Sequence, residues 1–222
     1  MIEVCGIDEA GRGPVIGPLV IAGACLSKKE LYQLERIGVK DSKLLSPSQR
    51  KKLFFQISSI LSSYEILTIQ PSEVDAAVFA NEKGLNLNWL EAQKTALIIN
   101  KLHPQKAIVD CPSTNISAYT TYLRNHLEDK RIQLLCEHKA DATYVICAAA
   151  SILAKVTRDE EVEKIKKELG IDFGSGYPSD PKTVAFLQKY WNKYEFFRKS
   201  WSSWQKYGGK RVSLGQKKLG EG

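Results

Sequence analysis

Several apolar segments of this chain border a carboxylate. Asp8 and Glu9 close the first apolar run, Asp110 closes the run before Cys111, and Asp141 stands at the start of an alanine-rich stretch. Acids that meet at the ends of apolar elements are costly unless a positive charge lies between them. Mg²⁺ and Mn²⁺ prefer oxygen ligands such as these. The pattern predicts a fold whose element ends gather these acids around a pair of divalent cations.

The order of strand-like and helix-like segments predicts an α/β fold, with a mixed sheet flanked by helices. Apolar patterns indicate strands at 3–8, 18–26, 65–69, 106–109 and 132–136. Helical spacing indicates helices at 27–35, 47–63, 85–102, 115–127, 181–194 and 200–207, and a long helix from Asp141 to about 169. A glycine- and proline-rich turn joins the first two strands as a hairpin.

Basic residues concentrate near the C-terminus. The formal net charge is +7, and the stretch 182–218 holds ten basic residues against Glu195 as its one acid. Aromatic residues alternate with these cations, which suits phosphate neutralisation and stacking on bases or sugars. A packed amphipathic helix with a solvated basic face produces the same pattern. Both interpretations stay open for most of these aromatics.

The cysteines and the N-terminus indicate a cellular compartment. Five cysteines, an odd number without a Cys-x-x-Cys pair, argue against a disulfide framework and against a zinc site. The N-terminus lacks signal-peptide features, and no apolar stretch approaches the ~20 residues of a membrane span. We therefore expect a cytoplasmic protein. Nothing in the pattern requires a partner subunit, so we expect a monomer.

Phosphodiester hydrolysis is a reaction that the acids can support, since two cations ~3.5–4 Å apart activate a water and stabilise the leaving oxygen. Each acid also has a plainer interpretation: Asp8 as a turn residue, Asp110 as a strand terminator and Asp141 as a helix N-cap. Successive side chains of a strand point to opposite faces. Asp8 and Glu9 can both face the cations only if the strand ends or bulges there.

The turn 11–17 is a candidate substrate contact. Gly11 and Gly13 lack side chains, so the main chain can approach a ribose and bind its 2′-hydroxyl, the group that distinguishes RNA from DNA. Arg12 is placed to clamp a phosphate. A hairpin turn with a solvent-facing arginine fits the same residues.

Two polar loops add further candidates. Lys43 lies in the loop 40–43 and suits either a phosphate contact or an ordinary turn. Tyr177 lies in the loop 174–181, which is rich in glycine and proline, and is well presented to stack on a sugar or base.

Six segments in this order resemble the signature series of ribonuclease HII: 6–14, 39–44, 108–110, 138–141, 148–159 and 174–181. One such segment alone is weak, whereas six in sequence are very specific, and they cover positions 3 to about 205. The last loop and residues 137–141 resemble the archaeal and eukaryotic branch. Arginine at position 12 differs from the lysine of the related ribonuclease HIII group.

The resemblance implies an RNase H-like fold with a C-terminal helical appendage. It matches four acids to the catalytic, metal-binding set: Asp8, Glu9, Asp110 and Asp141. The implied activity is hydrolysis of the RNA strand of RNA/DNA hybrids and cleavage at single ribonucleotides embedded in duplex DNA. Mg²⁺ or Mn²⁺, as two ions with substrate bound, is the implied cofactor. The implied products carry 3′-hydroxyl and 5′-phosphate ends.

The resemblance also implies substrate contacts. Gly11, Arg12 and Gly13 match the loop that reads the ribonucleotide 2′-hydroxyl, and Tyr177 matches a tyrosine that stacks at an RNA-to-DNA junction. Three more residues lie in signature segments near that site and are expected to contact phosphates: Lys43, Lys139 and Ser151.

The chain is expected to divide into three parts. Residues 1–180 form the catalytic domain, 181–207 a helical extension that clamps the duplex, and 208–222 a flexible basic tail. Residues 216–219 of the tail resemble the first half of a sliding-clamp-binding peptide, although the expected aromatic pair does not follow. A sliding clamp is therefore a candidate partner besides the nucleic acid.

Two other functions fit the residues. A non-catalytic RNA- or hybrid-binding protein could use the same groove, and would bind without turnover in excess Mg²⁺. An RNase H-like nuclease for branched or purely DNA substrates would cut duplexes that have no 2′-hydroxyl.

Overall fold

The computed structural model describes residues 2–39, 45–80 and 86–208. Its strands are β1 (Glu3–Ala10), β2 (Leu19–Ser27), β3 (Ser63–Ile69), β4 (Lys106–Asp110) and β5 (Gln133–Glu137). Its helices are α1 (Tyr32–Arg36), α2 (Pro47–Ile60), α3 (Pro71–Phe79), α4 (Leu87–Leu102), α5 (Ile116–His126), α6 (Ala140–Thr143), α7 (Val145–Leu169) and α8 (Pro181–Tyr190). Residues 202–208 are also helical.

The five strands form one mixed sheet in the order β3-β2-β1-β4-β5. β1 pairs antiparallel with β2, with Cys5 opposite Cys25, and parallel with β4, with Ile7 opposite Val109. β2 and β3 are antiparallel, and β4 and β5 are parallel. The predicted mixed α/β sheet and the predicted hairpin are confirmed. The parallel strands β1, β4 and β5 end at one edge, where the acids lie.

Two helical layers cover the sheet. The even-numbered residues Val4 and Ala10 of β1 belong to the core on the α7 side, and the odd-numbered Cys5 and Ile7 belong to the core on the α4 side. Gly6 lets α7 approach closely, since a Cβ there would lie 2.4 Å from the Ile146 main-chain carbon. The period-two alternation of β1 therefore decides which layer each of its side chains meets.

The C-terminal aromatics form a third apolar core with the turn after β1 and the end of α7. Phe186 and Phe197 are buried there against Ile16 and Val162, and the other aromatic residues of 186–207 pack around them, half-buried. These contacts favour the packed interpretation of this segment. The division of the chain at residues 180 and 207 stays a prediction.

Several helix boundaries differ from those predicted. The helix expected at 27–35 is a 3₁₀ turn followed by the short α1, the long helix after Asp141 is interrupted at Tyr144, and the helix expected to reach 194 ends at Tyr190. α3 was not predicted. The predicted start of α2 is confirmed, because Ser46 and Gln49 form a reciprocal capping box and Pro47 takes the first position. Within the described ranges, no helix is long and apolar enough to cross a membrane.

Candidate active site

Three aspartates meet at the edge where the parallel strands end. Asp8 lies near the end of β1, Asp110 ends β4, and Asp141 lies in the first turn of α6, just after β5. One carboxylate oxygen of each lies within 4.8 Å of the others. The register places Asp8 and Asp110 side by side, because Ile7 is paired with Val109. The fold thus brings together residues that are more than a hundred positions apart.

Hydrogen bonds from the surrounding chain orient the aspartates. Asp8 is buried, and its Oδ1 accepts a hydrogen bond from the Glu9 amide at 2.7 Å. Asp110 Oδ1 accepts from the Ala140 amide at 3.3 Å, which ties β4 to the start of α6. Buried Ser151 on α7 faces Asp8, and Lys155 donates to the Ser151 hydroxyl at 2.5 Å.

The electrostatics of this cluster suit a hard cation. Burial raises the pKa of Asp8 to about 7, and the neighbouring Asp110 adds to that rise while a hydrogen bond from Ser151 opposes it. Burial also raises the pKa of Asp110, with Asp141 as the next contribution. Three crowded carboxylates repel one another unless a positive charge joins them. An all-oxygen donor set fits Mg²⁺ or Mn²⁺ rather than zinc.

Glu9 lies on the opposite face of β1. The strand continues regularly to Ala10, so Asp8 and Glu9 project toward different helical layers. Glu9 is not one of the three clustered acids, and its Oε1 lies 3.9 Å from Arg12 Nη1. Burial raises the pKa of Glu9 to about 7, and Arg12 opposes the rise. The assignment of Glu9 as a metal ligand stays a prediction.

Arg12 turns inward from the Gly-Arg-Gly loop, residues 11–13. Its Nη2 donates to Asn88 Oδ1 at 2.7 Å, and its Nη1 donates to the Pro112 carbonyl at 3.0 Å. The same Nη1 lies 3.2 Å from Glu91 Oε2. It is therefore held by α4 and by the loop after β4, unlike the solvent-facing arginine of a simple hairpin turn.

Arg198 supports the Gly-Arg-Gly loop by donating hydrogen bonds to main-chain carbonyls. Its guanidinium donates to the carbonyls of Arg12 at 2.8 Å, Gly11 at 2.5 Å and Gly17 at 3.0 and 3.1 Å. Trp201 Nε1 donates to the Gly13 carbonyl at 3.1 Å. The C-terminal segment thus fixes the carbonyl side of the loop before any substrate binds.

The loop conformation depends on Gly11. Its φ of +84° lies in the left-handed region that favours glycine, and a Cβ there would meet the Pro18 carbonyl oxygen at 2.7 Å. Any side chain at this position would strain the turn and push it from its place beside the acids.

Tyr177 faces the loop across a cleft of about 270 Å³, which is also lined by Glu9, Lys155 and Arg158. A Cβ at Gly13 would lie 3.3 Å from the Tyr177 ring, and the Arg158 guanidinium stands 5.3 Å from the ring centre. Tyr177 is 38% exposed, so part of its side chain is accessible to a ligand in the cleft.

The remaining predicted contacts have different positions. Ser151 is buried beside Asp8, and Lys139 is exposed just before α6, with a left-handed φ of 59°. Lys43 lies outside the described residues. Their roles stay predictions.

Sequence reasoning missed several residues that shape the site: Asn88, Glu91, Lys155, Arg158 and Arg198. Lys155 and Arg158 lie within a signature segment that was singled out, which was the one available signal for them. Asn88 and Glu91 lie in the segment 85–102, where the sequence indicates a helix and no functional motif. Arg198 lies in the basic, aromatic stretch 182–218, where composition alone does not single it out.

Comparisons with known proteins agree with this arrangement. A protein-family model described as Ribonuclease HII matches residues 5–204. The chain is 46% identical over 211 residues to Ribonuclease HII of Pyrococcus furiosus, covering 92% of this chain and 91% of that protein. It is 44% identical to Ribonuclease HII of Pyrococcus horikoshii over 92% of both chains.

Solved structures show the same fold. The ribonuclease H2 of Pyrococcus horikoshii OT3 superposes with a TM-score of 0.85 at 42% identity, over 94% of this chain and 98% of that one. The PCNA:RNase HII complex from Archaeoglobus fulgidus gives a TM-score of 0.76 at 40% identity, over 84% of this chain and 86% of that one. Bst-RNase HIII in complex with Mn²⁺ is 20% identical and shares the fold, with a TM-score of 0.76 over 98% of this chain and 71% of that one.

Proposed function

The chain belongs to the ribonuclease HII family and is a ribonuclease H, and we propose that it cuts single ribonucleotides embedded in duplex DNA as well as the RNA strand of hybrids. The observation that carries this proposal is a juxtaposition. The three aspartates cluster beside the end of β1, and β1 runs directly into the Gly-Arg-Gly loop. A ribose read by the loop therefore has its neighbouring phosphate within reach of the acids.

The aspartates Asp8, Asp110 and Asp141 are the residues that would hold two divalent cations, Mg²⁺ or Mn²⁺, with Glu9 as a fourth acid nearby. When bound, such ions make water nucleophilic near neutral pH and stabilise the leaving oxygen. Ser151 orients Asp8, and the Lys155 ammonium beside Ser151 adds positive charge where a phosphate would enter. A water attack with the 3′ oxygen as leaving group yields 3′-hydroxyl and 5′-phosphate ends.

The Gly-Arg-Gly loop is the proposed sensor of the 2′-hydroxyl. Its carbonyls are held by Arg198 and Trp201, so the loop is rigid before it meets the substrate. A preorganised main chain reads a hydroxyl without the entropic cost of ordering a loop. Tyr177, across the cleft, is the proposed stacking partner of the sugar or base beyond the ribonucleotide.

The C-terminal helices are the proposed duplex clamp. Most of their aromatic rings pack in the third apolar core. The phosphate contacts are therefore made by exposed cations, which include Lys189 and Lys193. Both ammonium groups lie over the Tyr190 ring, at 5.1 and 5.6 Å from its centre. Binding by this surface should weaken steeply as salt increases.

One assay separates the proposed function from its alternatives. Labelled duplexes with a single ribonucleotide, with none, and of RNA alone are incubated with Mg²⁺ or Mn²⁺. The proposal expects cuts at the ribonucleotide only, with products that a ligase or phosphatase identifies as 3′-hydroxyl and 5′-phosphate. Binding without cleavage in both metals would favour a binding protein, and cleavage of the all-DNA duplex would favour a DNA nuclease.

A sliding clamp is the proposed protein partner. The support is the likeness to the Archaeoglobus fulgidus protein solved as a PCNA:RNase HII complex. Residues 216–219, which suggested the contact, lie outside the described residues. Calorimetry with the cognate clamp should show binding by the full chain and none by a chain ending at residue 208. Equal binding by both would place the contact elsewhere, and no binding by either would remove the partner.

A further inference from the structure

Glu91 is a buried carboxylate close to the candidate active site. It lies in the second turn of α4 and is fully inaccessible to solvent. Neither of its carboxylate oxygens has a hydrogen-bond partner among the described residues. Its salt-bridge partner there is Arg12, with Nη1 at 3.2 Å from Oε2. Since it is inaccessible, Glu91 cannot touch the substrate.

Arg12 stands between two acids. The Nη1 atom that lies 3.2 Å from Glu91 lies 3.9 Å from Glu9 Oε1. The position of the guanidinium is limited further by Asn88 and the Pro112 carbonyl. The two carboxylates thus compete for one cation, and Glu91 holds it at the shorter distance.

A simple stabilising role does not account for this acid. A buried ion pair contributes little net stability, and a pair of apolar side chains of similar volume often serves as well or better. The arrangement does have a consequence for Glu9. Without Glu91, the nearest acid for Arg12 would be Glu9, and a guanidinium paired with that carboxylate would compete with any metal ion for its oxygens.

We propose that Glu91 is a positioning residue that draws Arg12 away from Glu9. It thereby keeps the Glu9 carboxylate available to a divalent cation and holds the Gly-Arg-Gly loop in register with the aspartates. This inference rests on the proposed function, in which Glu9 is a fourth acid of the metal site.

Metal binding tests the inference without relying on turnover. Two variants separate charge from shape: Glu91→Gln removes the charge and keeps an acceptor, and Glu91→Met removes both at similar volume. We expect the affinity for Mn²⁺, measured by calorimetry, to fall about tenfold in Glu91→Met, the lower end of typical losses for residues that orient metal ligands. Glu91→Gln should lie between this variant and the unmodified chain.

The matched control is Thr95→Val, since Thr95 is buried one turn further along α4 and is not among the hydrogen-bond or salt-bridge partners of Arg12 within the described residues. It reports the effect of disturbing the same helix. The second control is the Arg12→Ala background, where Glu91→Met should change Mn²⁺ affinity no further, because Glu91 is proposed to act only through Arg12. Circular dichroism verifies that each variant folds, and Glu91→Asp, which keeps the charge, should rescue binding in part.

The outcomes are distinguishable from a failure of the proposed function. If the unmodified chain does not cut at a ribonucleotide, the proposed function fails, whatever Glu91 does. If the unmodified chain cuts there but Glu91→Met binds Mn²⁺ as tightly as Thr95→Val does, the positioning role is wrong. An equal loss from Glu91→Met in the Arg12→Ala background would also overturn it, since the effect would not pass through Arg12.

Discussion

The two faces of β1 near its end carry acids in opposite electrostatic settings. On the α7 side, Asp8 meets Asp110 and Asp141, and neither Asp8 nor Asp110 forms a salt bridge with another described residue. On the α4 side, Glu9 and Glu91 share the guanidinium of Arg12. The first face is a candidate site for a cation from outside the chain. On the second face, Arg12 lies closer to Glu91 than to Glu9. One strand therefore separates the candidate metal site from the side chains that hold Arg12 of the adjoining loop.

The aspartate face should be the more sensitive to a single substitution. We expect Asp110→Asn to lower the single-turnover rate at a ribonucleotide by about 10³-fold or more, because several kcal/mol of charge stabilisation is lost with the cations. Duplex binding should change little. Asp129→Asn, an exposed acid paired with Arg131, is the control. A near-normal rate for Asp110→Asn would remove that residue from the mechanism.

Arg198, which supports the Gly-Arg-Gly loop, should contribute to the free energy of unfolding. Replacing Arg198 by Leu leaves the carbonyls of Gly11, Arg12 and Gly17 without a charged donor in a buried place, so we expect the free energy of unfolding to fall by about 3 kcal/mol. Urea denaturation measures the change. Lys199→Ala alters the neighbouring, half-exposed side chain and should have little effect. Equal stability of both variants would show that Arg198 does not hold the loop.

Tyr177 lines the cleft beside the Gly-Arg-Gly loop, together with Glu9 and Lys155. Substituting it tests whether a base or sugar stacks there. Stacking of a base on an aromatic ring contributes about 1–3 kcal/mol, so Tyr177→Ala should raise KM for the single-ribonucleotide duplex by about tenfold. Tyr177→Phe keeps the ring and should retain most of the affinity. Tyr32→Ala removes a tyrosine that is 52% exposed and lies away from the cleft. A KM unchanged in Tyr177→Ala would contradict the stacking role.

A pH dependence of stability is expected in the metal-free protein. The pKa values of Asp8 and Glu9 are both raised to about 7 by burial, above the value of about 4 in an unfolded chain. Between these values the folded state binds more protons, so stability should fall as pH rises from 5 to 8. Calorimetric Tm values should therefore drop over this range.

Metal and substitution should both remove part of that dependence. Mn²⁺ should raise Tm more at pH 8 than at pH 5, since protons and cations compete for the same oxygens. Asp8→Asn should reduce the pH slope of the metal-free protein. Working above pH 5 avoids Asp172, whose pKa is lowered by Lys182 and whose stabilising contribution is lost only in more acidic solution. A Tm that rises with pH would contradict this account.

Much of the arrangement around the aspartates could be predicted from local patterns. A regular strand places Asp8 and Glu9 on opposite faces, so both can face the same cations only if the strand ends or bulges there. The predicted strand stops at residue 8, whereas β1 pairs regularly through Ala10. The Ser46 cap of α2 was also predictable, because a cap depends on residues within one turn of each other.

Other elements could not be predicted, because distant contacts stabilise them. Asp75 of α3, a helix that was missed, accepts hydrogen bonds from the Lys199 and Ser200 amides at 2.8 and 2.9 Å. Those partners are more than a hundred residues away, so no window of sequence reveals them. The C-terminal aromatics posed the same problem: their composition fits both stacking and packing, and only the contacts with Ile16 and Val162 favour packing.

Residue order alone indicates which side chains of a regular strand share a face, because that follows from a repeat of two residues along the backbone. The packing of distant segments sets which charged side chain lies beside each acid and beside the loop. Arg12 pairs with Glu91 because α4 packs under β1, and Arg198 reaches the loop because the C-terminal segment returns to it. Charge balance inside a protein depends on distance in space, and the closure of the chain sets that distance.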